Sequence, residues 1–122
     1  MPEQVNGFSQ VHVSGTGGGP KYGNILVMPF GKGMDQLNHI DYRKDETIRL
    51  GYYATEFQRT GIYTEITTAP RASFYRFTYP RRFLKNPLLV DAGFFLGEQP
   101  TPDAREAQQF VGSEIKSYPI TK

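Results

Sequence analysis

The chain has no cysteine. That excludes a disulfide framework and any thiolate metal site, so redox logic does not fix its compartment. Tryptophan is also absent, and histidine occurs only at His12 and His39, which rules out a multi-histidine metal centre. No apolar run approaches the length of a membrane-spanning helix. The first residues lack the basic, apolar and small-residue regions of a signal peptide. Neither charge sign dominates: 14 Lys and Arg stand against 12 Asp and Glu, a formal +2. A balance this even does not by itself call for an acidic partner. Acids are missing locally, however, because none occurs from Ile66 to Val90.

What is present fits one modest globular domain. There are 122 residues, 38% hydrophobic and 14% aromatic, enough apolar side chain to oppose disorder. Short runs rich in Val, Ile, Thr, Tyr and Phe alternate with Gly and Pro, a β signature. Strands are expected at 8–13, 24–28, 51–58, 62–69, 74–79, 88–95 and 110–115. Seven short strands in this length predict an all-β chain, an antiparallel β-sandwich or a curled sheet. The clearest unit is 52–69. Tyr53, Thr55 and Phe57 alternate with Ala54, Glu56 and Gln58, Arg59-Thr60-Gly61 turns the chain, and Ile62, Thr64, Ile66 and Thr68 resume the alternation. That pattern predicts a hairpin with one face buried. Residues 35–49 are polar and weakly patterned and read as a surface excursion. Residues 101–107 form the one expected helical turn, with Thr101 as cap and Pro102 at its first position.

The segment Gly7 to Pro29 carries the most information. Two β-type runs flank a loop with Gly15, Gly17, Gly18, Gly19 and Gly23. Glycine admits backbone angles closed to other residues and allows close approach of another surface. The loop also bears the Ser14 and Thr16 hydroxyls, so it reads either as a docking place or as a long hairpin turn with no ligand. It is not a dinucleotide fingerprint, since glycine is missing at the sixth position and a strand follows instead of a helix. Without a closing GK[ST] it is not a phosphate loop either. His12, Gln10 and Ser14 alternate and share one strand face. Such a face can hydrogen-bond a polyol, or it can be an ordinary polar face.

The acids fall in two groups, Asp41, Asp45 and Glu46, and Asp91, Glu98, Asp103 and Glu106. Paired carboxylates can hydrolyse glycosides, but acids in loops are mostly solvated, and neither group has calcium-loop spacing. The acid-free stretch interleaves Arg71, Arg76, Arg81, Arg82 and Lys85 with Phe74, Tyr75, Phe77, Tyr79 and Phe83. A basic, aromatic sheet face grips single-stranded nucleic acid. Alternation instead puts Phe74, Arg76 and Thr78 on one face and Tyr75, Phe77 and Tyr79 on the other, which favours a core role for the second set.

The motifs Gly7-Phe8-Ser9, His12, Ser14-Gly15-Thr16-Gly17, Tyr22-Gly23-Asn24-Ile25-Leu26 and Met28-Pro29 resemble the N-terminal region of the family 92 glycoside hydrolases, α-mannosidases that include α-1,2-mannosidases of N-glycan processing. The likeness continues through Gly51-Tyr52-Tyr53, Gly61-Ile62, Glu65, Thr67-Thr68-Ala69-Pro70-Arg71, Asp91-Ala92-Gly93 and Phe110-Val111-Gly112. The resemblance implies a β-sandwich that packs on a large helical catalytic domain and helps shape the mannoside pocket. It also implies inverting hydrolysis with two carboxylates and calcium, all supplied by the helical domain, which this chain lacks. Relatives of this kind are usually periplasmic or secreted.

On this reading the chain is residues 1–122 of a single β-sandwich or part of one. It has no catalytic residue, metal ligand or cofactor of its own and no activity alone. Its sugar-facing residues are His12, Ser14, Gly15, Thr16 and Gly17. Its partners are the helical domain of the same polypeptide and a mannose-containing glycan, with self-association through exposed strand edges and no membrane. Two other readings are a free-standing carbohydrate-binding module with a tyrosine platform and, ranked last for want of net charge, a single-stranded nucleic-acid binder.

Overall fold

A computed structural model describes residues 3–12, 22–31, 33–35, 38–94 and 111–118. Its elements are all strands: β1 (Gln4–Val5), β2 (Phe8–His12), β3 (Tyr22–Pro29), β4 (Asp41–Arg49), β5 (Tyr52–Phe57), β6 (Tyr63–Ala69), β7 (Ala72–Thr78) and β8 (Leu88–Asp91). One sheet runs β1-β4-β5-β6-β7 and the other β2-β3-β8. The chain is all-β, as expected from its composition. Its contacts divide it into two units, Met1–Gly7 with Met28–Leu89, and Phe8–Val27 with Val90–Lys122.

The first unit is built on the meander β4 to β7, with antiparallel pairing throughout. The expected hairpin is β5 and β6. Gly61 adopts φ 76°, a left-handed value open to glycine at little cost, and its N–H donates to the Phe57 carbonyl at 2.7 Å. Pairing then fixes the faces, since directly opposed residues share a side. Phe57, Thr55 and Thr64 are buried on the inner face, and Ile62, beside the turn, joins them. Phe74 and Arg76 stand exposed on the outer face, while Tyr75 and Phe77 of the same strand are half-buried. The segregation predicted for this strand is therefore observed.

The inner face is not evenly covered. One row across four strands reads Ile48, Tyr53, Ile66, Tyr75. Tyr53, Ile66 and Tyr75 are only half-buried, and Ile48 is 73% exposed. Apolar side chains thus continue past the sealed part of the core.

Residues 35–49 correct the expectation of a surface excursion, because 41–49 form strand β4. Its charged residues hide the strand from a hydropathy reading. A bulge between Lys44 and Thr47 breaks the register, with Asp45 at φ 54°, a conformation aspartate tolerates better than most residues. The bulge turns Glu46 toward Arg43 (2.8 Å) and the Tyr53 hydroxyl (2.6 Å). Arg43 also pairs with Glu3 beside β1. The strand expected at 110–115 is a second correction. Residues 111–118 form no strand and are exposed, so their alternation finds no neighbour to complete a ladder. The expected helical turn at 101–107 lies outside the described residues.

In the second unit β2 pairs antiparallel with β3, Phe8 facing Val27 and His12 facing Tyr22. The register shifts between Ser9 and Gln10, which face Leu26 and Asn24. Ile25 is the residue left over, and it sits at φ 59°. For a β-branched residue that is a strained conformation.

Candidate functional site

The pairing of His12 with Tyr22 makes residues 13–21 the connection between two hydrogen-bonded strands. The ladder of β2 and β3 thus runs up to the residues on either side of that segment. Of the expected sugar-facing residues, His12 has its backbone in β2. Its side chain, and Ser14, Gly15, Thr16 and Gly17, lie outside the described residues. The bulge at Ile25 bends β3 as it leaves this loop, and bulges commonly re-aim side chains beside functional sites. The strand expected at 24–28 carries this extra residue, which nothing in its alternation announces.

Two carboxylates that sequence reading treated differently prove to be structural fixtures. Asp41, grouped above with solvated loop acids, is fully buried, which corrects that expectation. Its carboxylate accepts from the N–H groups of Tyr42 (2.8 Å), Arg59 (2.6 Å) and Thr60 (3.1 Å) and from the Thr60 hydroxyl (2.7 Å). A buried charge persists only when it is hydrogen-bonded in this way. The carboxylate thus ties the start of β4 to the β5–β6 turn. Asp45 and Glu46 are exposed, as expected. Asp91 is exposed too, and its carboxylate accepts from the Gly93 N–H at 3.0 Å. Glu98, Asp103 and Glu106 lie outside the described residues.

Glu65 sits in β6 directly opposite Arg76 of β7. It accepts two hydrogen bonds from that guanidinium, at 2.6 and 2.9 Å, and one from the Tyr52 hydroxyl at 2.8 Å. Arg76, and next the Tyr52 hydroxyl, hold the Glu65 carboxyl below its usual range. The same hydrogen bond pushes the Tyr52 hydroxyl up to about 12. Arg49 lies 5.2 Å from the Tyr52 ring centre, within cation–π range. The charge of Arg76, one of the cations in the acid-free stretch, is therefore engaged by the acid facing it. Phe74 (74% exposed) and Tyr63 (38% exposed) stand beside this network on the outer face.

Among the described residues no group of three or more His, Asp or Glu stands close enough to hold a metal ion. Nor is any helix long and apolar enough to cross a membrane.

Comparison with known proteins settles the family. The description "Glycosyl hydrolase family 92 N-terminal domain" matches residues 2–120. The chain belongs to this family. It is also similar to a secreted glycosidase, itself uncharacterised, of Arthroderma benhamiae. The identity is 34% over 86 residues, covering 62% of this chain and 11% of the relative. The chain thus spans about a tenth of that relative's length. No solved structure is significantly similar to it. Within the described residues, the family 92 motifs read from the sequence fall on β2, β3, β5, the β5–β6 turn, β6, the β6–β7 turn and the end of β8, so they mark framework positions as well as the loop.

Proposed function

We propose that this family 92 domain is the sheet-bearing N-terminal portion of a glycosidase that releases mannose from α-linked glycans such as N-glycans, α-1,2-linked ones included. It packs on a helical catalytic domain of the same polypeptide, helps shape the mannoside pocket and does not turn over substrate alone. The observation that carries this reading is the family match across residues 2–120. Two features support it. The relative extends far beyond the segment this chain matches. The row Ile48, Tyr53, Ile66, Tyr75 leaves apolar surface for more polypeptide to cover. The β-sandwich architecture is part of the proposal, completed by that further polypeptide.

In this scheme the two carboxylates of inverting hydrolysis and the calcium belong to the helical domain. Calcium would orient the sugar there. Among the described residues the fit is poor, because Asp41 and Glu65 already spend their oxygens on four and three hydrogen bonds. His12, Ser14, Gly15, Thr16 and Gly17 are proposed to border the mannoside. Export from the cell is proposed from the secreted relative. The test is His12→Ala and Thr16→Ala in the longer polypeptide. A higher KM with intact folding supports a bordering role. Unchanged kinetics on mannobiose would remove the loop from the pocket.

A second reading, carbohydrate binding by the chain alone, is favoured by Tyr63 and Phe74, which are exposed on one sheet face. Aromatic rings stack on the apolar faces of sugars. Calorimetric titration with mannose oligomers decides it, with Phe74→Ala as the control.

A further inference from the structure

The connection from β7 to β8 is fixed at four points. The Phe83 N–H donates to the Pro80 carbonyl at 3.0 Å and the Tyr79 hydroxyl to the Pro87 carbonyl at 2.6 Å. The Phe30 N–H reaches the same Pro87 carbonyl at 3.2 Å, and Arg82 Nη2 donates to the Thr60 carbonyl at 2.9 Å. Phe83 lies against the backbone of Gly31, where a Cβ would stand 3.0 Å from its ring. A side chain there would push the Phe83 ring back by a few tenths of an ångström.

This arrangement leaves an open pocket of about 560 Å³ lined by Gly31, Arg82, Phe83, Leu84, Lys85 and Pro87. The volume falls within the range of small-molecule sites, which are mostly apolar with a few placed polar groups. Among the described residues of its lining, the charged groups are two cations, Arg82 and Lys85. Neither Arg82 nor Lys85 forms an ion pair with a described residue. The Arg82 guanidinium is held by Thr60 and lies 5.3 Å from the Phe83 ring centre. An aromatic wall next to a positioned guanidinium and a lysine suits a ligand with an apolar face and a negative group.

We propose that this pocket binds an acidic sugar, a pyranose carrying a carboxylate, with its C–H face on Phe83 and its carboxylate between Arg82 and Lys85. Arginine matches a carboxylate with two parallel hydrogen bonds, and lysine adds a point charge. In a glycosidase family a pyranose is the ring-shaped body at hand. The proposal does not depend on the mannosidase reading, because none of its residues belongs to the set His12, Ser14, Gly15, Thr16 and Gly17.

The experiment titrates the 122-residue chain with D-glucuronate and with its two halves, acetate and methyl α-mannoside, by calorimetry and amide chemical shifts. Glucuronate is expected to saturate and to bind at least about tenfold more tightly than either half, weakening as salt rises. Lys85→Met, at an exposed position, is expected to weaken it about tenfold with the fold unchanged. Phe83→Leu is expected to weaken it while leaving acetate unaffected. Absence of saturation overturns the proposal. So does acetate or methyl α-mannoside binding as tightly as glucuronate, or Lys85→Met binding as well as the parent chain.

Discussion

Thr60 donates both its backbone N–H, at 3.1 Å, and its hydroxyl, at 2.7 Å, to one oxygen of Asp41, nineteen residues before it in the chain. The pair joins the start of β4 to the turn that begins β6. Removing the carboxylate leaves three buried or half-buried N–H groups without their acceptor. Asp41→Ala should cost about 3 kcal/mol, and Thr60→Val about 1–2 kcal/mol because one backbone donor survives. Urea denaturation of the two variants checks this. Equal stability for Asp41→Ala and the parent chain would remove the carboxylate from the framework.

A pH dependence follows from Glu65 and Tyr52. The folded state holds the Glu65 carboxyl low, chiefly through Arg76. Its contribution is therefore present above the unfolded carboxylate range and is lost as pH falls through the folded value. The folded state raises Tyr52 to about 12 from 10.0. That contribution is complete below the unfolded value and disappears as pH rises from there through the folded one. Glu65→Gln should blunt both limbs. It should also lower the pH at which the Tyr52 hydroxyl ionises in an absorbance titration. A titration identical to that of the parent chain would contradict the hydrogen bond between the two side chains.

Ile25 stores strain at φ 59°. Asparagine visits this conformation far more readily than a β-branched residue. Ile25→Asn should stabilise the chain by about 1 kcal/mol in thermal or urea unfolding, since Ile25 is also 43% exposed. A loss of stability would mean that the Ile25 side chain contributes more through packing than its backbone costs.

The open end of the inner face predicts self-association. Among the described residues, the outer edge of β4 beyond the two-residue β1 carries Ile48, and the far side of the sheet ends at β7. Unpaired edges next to apolar side chains invite pairing between copies. Light scattering should show concentration-dependent association of the chain, and Ile48→Lys should suppress it. A strictly monomeric parent chain at high concentration would argue that this surface needs no cover.

Legibility in the sequence followed side-chain type. The β5–β6–β7 meander could be read because Thr55, Phe57, Thr64 and Phe77 alternate cleanly with polar neighbours. Strand β4 could not, since Asp41, Arg43, Lys44, Asp45 and Glu46 look like a solvated loop until hydrogen bonds absorb Asp41 and a bulge re-aims Glu46. Residues 110–115 erred the other way, because alternation does not supply a pairing partner. The family was legible from Gly7 to Pro29. The Phe83 pocket was not, because Gly31 and residues 82–87 meet only through the fold, and no spacing links them.

On the proposed reading, catalysis belongs to further polypeptide and this family 92 segment does none of it alone. Release of mannose from α-1,2-mannobiose, measured on the purified chain with calcium and then on the longer polypeptide, tests it most directly. The expected result is no turnover by the chain and calcium-dependent turnover by the longer protein, reduced when residues 13–21 are replaced. Turnover by the 122-residue chain itself would contradict it.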